Sequence, residues 1–555
     1  MGVTPVASRS ASATCREPLS FRCAHRLFPL FTAALLAAAS WSALVHPASA
    51  QASYRVPTLG FCWGRVAHQP IPPDLVVDML EANGVSKVKL FDADPNALTA
   101  LANSDVEVMV MVRNEFLEGM AVQQENADNW VYNNLLDILP TGVKITSVSV
   151  GNEPFLKSRH DFDKFLVPAV QNMQRALQKV DLDQRIKITV SFNTDIVKAK
   201  DDPALGEFQD VWLSQIKAIA KVINETGSFF SVNIYPFFSY KETPQIPVDF
   251  IWFDNPGKGC LTFDNKTKVQ YCNIMDSSLD GVIYALERIG YPDMEVVIGE
   301  AGWPSDGHPN ATTALAQSYN NGLLRHLLSG TGTPRRPNRQ FTFYIFDLFD
   351  QDAKSTAPGP FERRWGVYDD YGRAKYPLDL SGGKGWKLAP IPNVIRLRPR
   401  WCLANEALYS EKGADAAVVD AQFLSKISTV CGKSESGDFA DKADCTPLFM
   451  RLSTPGLQCA SKGASQTLLA NASYVLNAVY QLSGQQEAVC TDGGLGVVVP
   501  DQDPSTGSAG GGDMCTYELG LDEAAMMQYT QPNKAFSWKV LGYIVALVLV
   551  LANML

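Results

Sequence analysis

From about residue 57 to residue 346 the chain alternates short apolar runs with longer segments whose apolar residues recur every three or four positions. The runs are "TLGFCWG", "KVKLFD", "EVMVMV", "KITSVSVG", "IKITVSF", "FFSVNIYP", "EVVIG" and "FTFYIF". Their shortness and their β-branched and aromatic content predict buried strands. Between them "PDLVVDMLEANG", "FDKFLVPAVQNMQRALQKV", "VWLSQIKAIAKVINE", "SLDGVIYALERIG" and "TALAQSYNNGLLRHLLSG" have the helical period, and several end at glycine, where helices stop. Repeated strand–helix units make an α/β protein with a parallel sheet. Eight of them suit a closed (β/α)8 TIM barrel over residues 51–380; the strand count alone also allows an open, doubly wound sheet.

The pattern changes after residue 380. Glycine-rich "SGGKGW" and proline-rich "LAPIPNVIRLRPR" read as a linker over 381–400. Residues 401–518 hold six of the 11 cysteines and read as a small disulfide-rich domain, with "DPSTGSAGGGD" as a mobile loop within it.

Both ends carry sorting signals. Arg16, Arg22 and Arg26 precede an apolar stretch and the small-residue site Ala48-Ser49-Ala50, which predicts a signal peptide over 1–50, cut before Gln51. At the other end a polar spacer over 519–539, with Gly520, Ala524 and Ala525 near its start, leads into the uncharged tail "VLGYIVALVLVLANML", 540–555. That tail is short for a bilayer span and no basic residue follows it, so it predicts a glycosylphosphatidylinositol (GPI) attachment signal, the tail itself being removed. Export implies an oxidising compartment at the cell surface, and the sequons at Asn224, Asn265, Asn310 and Asn471 suit it. The net charge of -10, without a basic run in the mature part, argues against nucleic acid as a partner. A monomer is expected.

Working residues of a barrel sit at the carboxyl ends of its strands. Two acids do so: Glu153, after "SVSVGN", and Glu300, after "VVIG". A preceding Gly or Gly-Asn would let the backbone turn and aim each side chain over the mouth. Acids on opposed strands can approach to roughly 5 to 5.5 Å, the separation that glycoside hydrolysis by double displacement uses. With 6 histidines in the chain, no metal-ligand spacing and no phosphate loop, neither metal nor cofactor is expected. Aromatic side chains at strand ends, Trp63, Phe91, Tyr235, Trp303 and Phe346, could stack on the C–H faces of sugar rings.

"VVIGEAGWPSDG", "SVSVGNE", "VNIYPFF", "WGRVA" followed by "LFDADPNAL", and "ERRWGVYDDYGRAKYPLDL" resemble, in collinear order over about 57–380, plant glycoside hydrolase family 17, the endo-β-1,3-glucanases. The resemblance implies a (β/α)8 barrel that cleaves β-1,3-glucan with retention of configuration. It implies Glu300 as nucleophile, Glu153 as general acid/base and Asn152 as the holder of the sugar 2-hydroxyl, with Tyr235, Trp303, Phe91, Phe346, Lys354 and Glu362 around the substrate. Three positions depart from the family: Phe91 stands where a tyrosine is usual, Gln351 where a glutamate is frequent, and Cys62-Trp63 where Asn and an aromatic are usual. Each removes or alters a polar contact.

"WCLANEA", "DCTPLF" and "ANASYVLNAVYQ" make residues 401–518 similar to carbohydrate-binding module family 43, the callose-binding module. That resemblance implies pairing of Cys402 with Cys490, Cys431 with Cys445 and Cys459 with Cys515, whereas the sequence by itself leaves all fifteen connectivities open. In the barrel Cys260 and Cys272 flank one loop and can close it, leaving Cys62 buried and free. The chain so read is a GPI-anchored endo-β-1,3-glucanase of the cell surface. The same residues would also serve a transglycosylase, or the barrel could be a weak catalyst beside a glucan-binding module.

Overall fold

The computed structural model describes residues 55–156, 160–198, 202–243, 245–253, 260–262, 269–411, 413–432, 442–449, 464–500 and 517–528. The expected signal peptide over 1–50, Cys459, Cys515, the glycine-rich insert at 503–513, the sequon at Asn265 and the hydrophobic tail lie outside the described residues.

Each of the eight apolar runs forms one strand: β1 (Val56–Trp63), β2 (Val85–Leu90), β3 (Glu107–Val112), β4 (Lys144–Asn152), β5 (Lys187–Asn193), β6 (Phe230–Asn233), β7 (Val296–Ala301) and β8 (Phe343–Ile345). All neighbours are parallel and follow chain order around a closed ring. Closure is made where Leu59 and Phe61 of β1 lie opposite Phe343 and Ile345 of β8. The open sheet is thereby excluded.

The five amphipathic segments form the main helices of the outer ring: α1 (Pro73–Ala82), α2 (Asp163–Lys179), α3 (Leu213–Glu225), α4 (Ile274–Arg288) and α5 (Thr313–Leu328). Two of the starts follow side-chain capping chemistry. The Asn273 side chain accepts from Asp276 N at 2.8 Å, and Thr312 Oγ1 from Leu315 N at 3.2 Å, satisfying amides that lack a helical partner. Leu166, Val170, Met173 and Leu177 of α2 make a stripe at helical spacing buried against the strands. Each such side chain contributes about 1.5–3 kcal/mol by leaving water. Between α3 and α4 a two-residue hairpin, Leu261–Thr262 with Gln270–Tyr271, is closed by the Cys260–Cys272 disulfide.

Beyond the barrel, β9 (Arg400–Ala404) pairs antiparallel with β10 (Gly496–Pro500); β9 packs against α7 (Ala464–Leu482), which packs in turn against α6 (Ala416–Cys431). Disulfides join Cys402 to Cys490 and Cys431 to Cys445. One face of α7 carries Ser473, Asn477 and Gln481 at a spacing of four. They bond Ala404 N, Cys402 N and Arg400 O of β9 at 2.9, 3.2 and 2.7 Å, which satisfies backbone groups that a bare strand edge would leave open.

Residues 381–400, read from their composition as a linker, are packed against their neighbours. Asn83 Oδ1 accepts from Ala389 N at 2.7 Å, the Arg396 guanidinium lies over the Tyr371 ring at 5.1 Å, and Leu397 N bonds Gly520 O at 2.8 Å. Leu521 and Met526 join the barrel's own apolar core. Proline and glycine here shape a packed strap; composition could not distinguish that from a flexible one.

Candidate active site

At the carboxyl end of β4 the backbone leaves the strand abruptly. Gly151 has φ +88° and Glu153 itself has φ +47°, a left-handed conformation that costs a non-glycine residue on the order of 1–3 kcal/mol. Neighbours hold it there. Asn114 Oδ1 accepts from Asn152 N at 2.9 Å while its Nδ2 donates to Asn152 O at 2.8 Å, and Glu153 N donates to Ser191 O at 2.7 Å. Among the described residues the Glu153 side chain accepts one bond, from Asn233 Nδ2 to Oε1 at 2.9 Å. Burial first, and the charge of Glu300 second, push its carboxyl up to about 7, against the pull of Asn233 and Lys89. It is therefore neutral below pH 7, as a proton donor must be.

Glu300 is seated differently. It lies within β7, opposite Asn233 of β6, and both its oxygens are engaged: Lys89 Nζ donates to Oε1 at 2.7 Å and Tyr235 OH to Oε2 at 2.5 Å. Lys89 is fully buried, so the pair is desolvated and the carboxylate form of Glu300 is the one with partners. Burial, then the Glu300 charge, pushes the Tyr235 phenol well above its usual value, keeping it a donor. Gly299 does not supply the turn expected of it. β7 runs on through Glu300 to Ala301, and the glycine is needed for space: a Cβ there would lie 2.4 Å from Ser231 Oγ and 2.7 Å from Asn233 Oδ1.

The remaining candidates divide. Asn152 Oδ1 lies 3.5 Å from Lys89 Nζ, beside both acids. Phe91 and Phe346 meet edge to face at 6.0 Å, and Tyr235 stands against the same Phe346 ring at 6.0 Å. Lys354 Nζ pairs with Glu362 Oε2 at 2.8 Å and lies 4.9 Å from the centre of the Phe346 ring. Trp303 does not join them. It is wholly buried among Phe237, Trp252 and Tyr319, with its Nε1 on Asn310 O at 2.8 Å, so it offers no face to a sugar and forms the wall behind the site. Trp63 is buried too.

Two of the three unusual positions are explained by their contacts. Gln351 Nε2 donates to Asp347 Oδ2 at 2.6 Å while its Oε1 accepts from Val66 N at 3.2 Å. An amide makes both bonds at once, whereas a carboxylate would face Asp347 with like charge. Cys62 is free and buried, its thiol 3.7 Å from Gly299 O.

Lys89, Asn233 and Asn114 were not among the sequence candidates. The first two carried a signal: a charged or amide side chain near the carboxyl end of a buried strand. Among the described residues no group of three or more His, Cys, Asp or Glu is arranged to hold a metal.

A carboxyl raised to about 7 and a carboxyl held by a lysine and a phenol, at the ends of two strands of one barrel, make a pair of acids of the kind that glycoside hydrolysis uses. By fold and site the chain is a glycoside hydrolase. The family model for glycosyl hydrolases family 17 matches residues 59–380, and the chain belongs to that family. It is 36% identical to glucan endo-1,3-beta-glucosidase 5 of Arabidopsis thaliana over 476 residues, 85% of this chain and 91% of that protein. Glucan endo-1,3-beta-glucosidase 8 of the same plant is 35% identical over 447 residues, 79% of this chain and 86% of that one. Among solved structures, CJP38, a beta-1,3-glucanase and allergen of Cryptomeria japonica pollen, superposes with a TM-score of 0.56 at 32% identity, covering 58% of this chain and 99% of that one. A plant beta-glucan endohydrolase superposes with a TM-score of 0.52 at 28% identity, covering 57% and 99%.

Proposed function

We propose that the protein is a retaining endo-hydrolase of β-1,3-glucan in which Glu153 is the general acid/base and Glu300 the nucleophile. The observation that carries this reading is the unlike state of the two acids: Glu153 raised to about 7 beside a Glu300 that receives hydrogen bonds from Lys89 and Tyr235. Neutral Glu153 gives its proton to the departing glycosidic oxygen as Glu300 attacks the anomeric carbon, forming a glycosyl ester. With that ester formed, the Glu300 charge that had pushed Glu153 upward is gone. Glu153, its pKa thereby lowered, stays ionised once it has given up its proton and, as the carboxylate, accepts a proton from the water that releases the sugar. In this reading Asn152, next to Glu153 and 3.5 Å from the lysine that pairs with Glu300, holds the 2-hydroxyl, and Phe91, Phe346 and the Lys354–Glu362 pair line the approach. The names of the relatives support β-1,3-glucan as the polymer.

The C-terminal region serves as the glucan-binding module in this reading, and the ends of the chain send it to the cell surface and anchor it there. The support is the cysteine-rich motif set together with the small-residue, spacer and apolar-tail order of the last residues.

The test is to trap the ester with a 2-fluoro-β-glucosyl donor that carries a good leaving group, and to map the labelled peptide. Label on Glu300 is the expected result; label on any other residue overturns the assignment.

A further inference from the structure

Two loops border the site: residues 302–307, which follow Glu300, and residues 351–364, which carry Lys354 and Glu362. They meet at Arg363 and Arg364. Ser305 N and Oγ both donate to Arg364 O, at 2.8 and 3.1 Å. Gln351 N donates to Arg363 O at 3.1 Å, and Arg363 Nε to Lys354 O at 2.5 Å. The two arginines thus fasten one loop across itself and to the other.

Their guanidinium groups reach out of the barrel. Arg363 Nη1 donates to Asp444 Oδ1 at 3.0 Å, and Arg364 Nη2 bonds Asp444 Oδ2. Asp444 belongs to the C-terminal region, where Thr446 N donates to its Oδ1 at 3.0 Å and Tyr474 OH to its carbonyl at 2.8 Å. Side-chain exposures of 4%, 8% and 12% for Arg363, Arg364 and Asp444 make this a nearly dry cluster. The arginine charges hold the Asp444 carboxyl below its usual range although burial alone would raise it. The barrel contributes acids of its own to the cluster: Asp350 serves both Arg364, at 3.6 Å, and Lys375, at 2.6 Å, and Asp370 lies near Arg364 as well. Removing Asp444 would take from both guanidinium groups the partner they share, and breaking a buried pair from one side is costly. The two solved relatives are covered to 99% by 58% and 57% of this chain, so they carry nothing the size of the C-terminal region. In this chain the active-site loops draw a counter-ion from that region.

We infer that Asp444 is a positioning residue for hydrolysis: acting through Arg363 and Arg364, the C-terminal region sets the relative placement of the Glu300 loop and the Lys354–Glu362 loop. The region is then part of the catalytic structure as well as an attachment to polymer. This rests on the proposed hydrolase reading. Misplacement of a site by about 1 Å from a remote change can cost 10²-fold in rate.

The test uses full-length protein and soluble β-1,3-gluco-oligosaccharides, whose cleavage does not require retention on insoluble polymer. Asp444→Asn should lower kcat roughly ten- to a hundred-fold with little change in KM and unchanged binding to insoluble β-1,3-glucan, and Asp444→Glu should restore much of it. The double variant Arg363→Gln with Asp444→Asn should lose no more than the worse single variant, because the two act in series. Thr446→Val, which removes a hydroxyl from Asp444 but leaves the charge, supplies a milder case should Asp444→Asn fail to fold; it should still lower kcat in protein shown to be folded at the assay temperature. Wild-type kcat in the soluble assay for whichever of Asp444→Asn and Thr446→Val is folded, a loss confined to insoluble glucan, or multiplying effects in the double variant would each overturn the inference. A wild-type protein that releases no sugar would instead refute the hydrolase reading, so the two failures are distinguishable.

Discussion

The ends of β4 and β7 present their acids by unlike means, Glu153 on a left-handed backbone braced from outside and Glu300 on an unbroken strand. At β4 the protein accepts local strain, holds it with Asn114 and the Ser191 carbonyl, and gives the carboxyl one amide donor. At β7 the geometry is ordinary and the electrostatics are not: a fully buried lysine and a phenol converge on one carboxylate. The difference teaches that placement and charge are separate tasks here. β4 places an acid and leaves it neutral by burial, while β7 supplies the charge that helps to keep it so.

The widest break in that comparison comes from Glu153→Gln. Hydrolysis of glucan, whose departing sugar needs a proton, should fall by about 10²–10⁴-fold, with a much smaller loss on aryl glycosides that leave without help. The pH profile adds a second reading. Wild-type Glu153 is neutral below about 7, so kcat/KM should decline as pH rises through that value. In Glu153→Gln the decline should vanish. An alkaline limb that persists unaltered in the variant would mean another group is the acid.

Lys89→Met attacks the β7 side. It leaves Glu300 buried with Tyr235 but without its cation, and breaking a buried pair on one side costs about 3–5 kcal/mol, to be read from urea unfolding at pH 7. Lys89 also pulls Glu153 downward, so its removal should move the alkaline limb of residual activity to higher pH. Unfolding that matches wild type would show that the pair is not the desolvated one its burial indicates.

What the sequence disclosed follows the same division. Glu153 and Glu300 were legible because a strand ending in an acid is chemically conspicuous, and the eight strands because apolar runs have one length and the helices another period. Lys89 was not singled out, although "KVKLFD" places Lys87 and Lys89 two apart and so on the same face of β2. Lys87 finds Glu107 on β3, its neighbour in the sheet, whereas Lys89 reaches Glu300, 211 residues away, and only closure of the ring brings them together. Trp303 misled for a related reason. Its position after β7 suggests the mouth, but the helix α5 residue Tyr319 and the loop residue Trp252 close over it. Contacts between distant parts of the chain decide such cases, and local pattern does not carry them.

The smallest change tests whether the two strand ends are independent. Gly299 precedes the nucleophile candidate, yet the groups nearest its missing side chain are Ser231 Oγ and Asn233 Oδ1, and Asn233 holds Glu153. Gly299→Ala should cost about 1–3 kcal/mol as an overpacked interior, seen as a lower melting temperature. Its more telling effect is on the acid across the mouth. The Asn233 bond lowers the Glu153 carboxyl, so an alanine that displaces Asn233 should let it rise, shifting the alkaline limb of kcat/KM above about 7 while Glu300 keeps Lys89 and Tyr235. A melting temperature that falls with no movement of the limb would mean that Ser231 yields instead and that the ends of β4 and β7 are adjusted separately. Movement of the limb would show that the glycine beside one acid serves the protonation of the other.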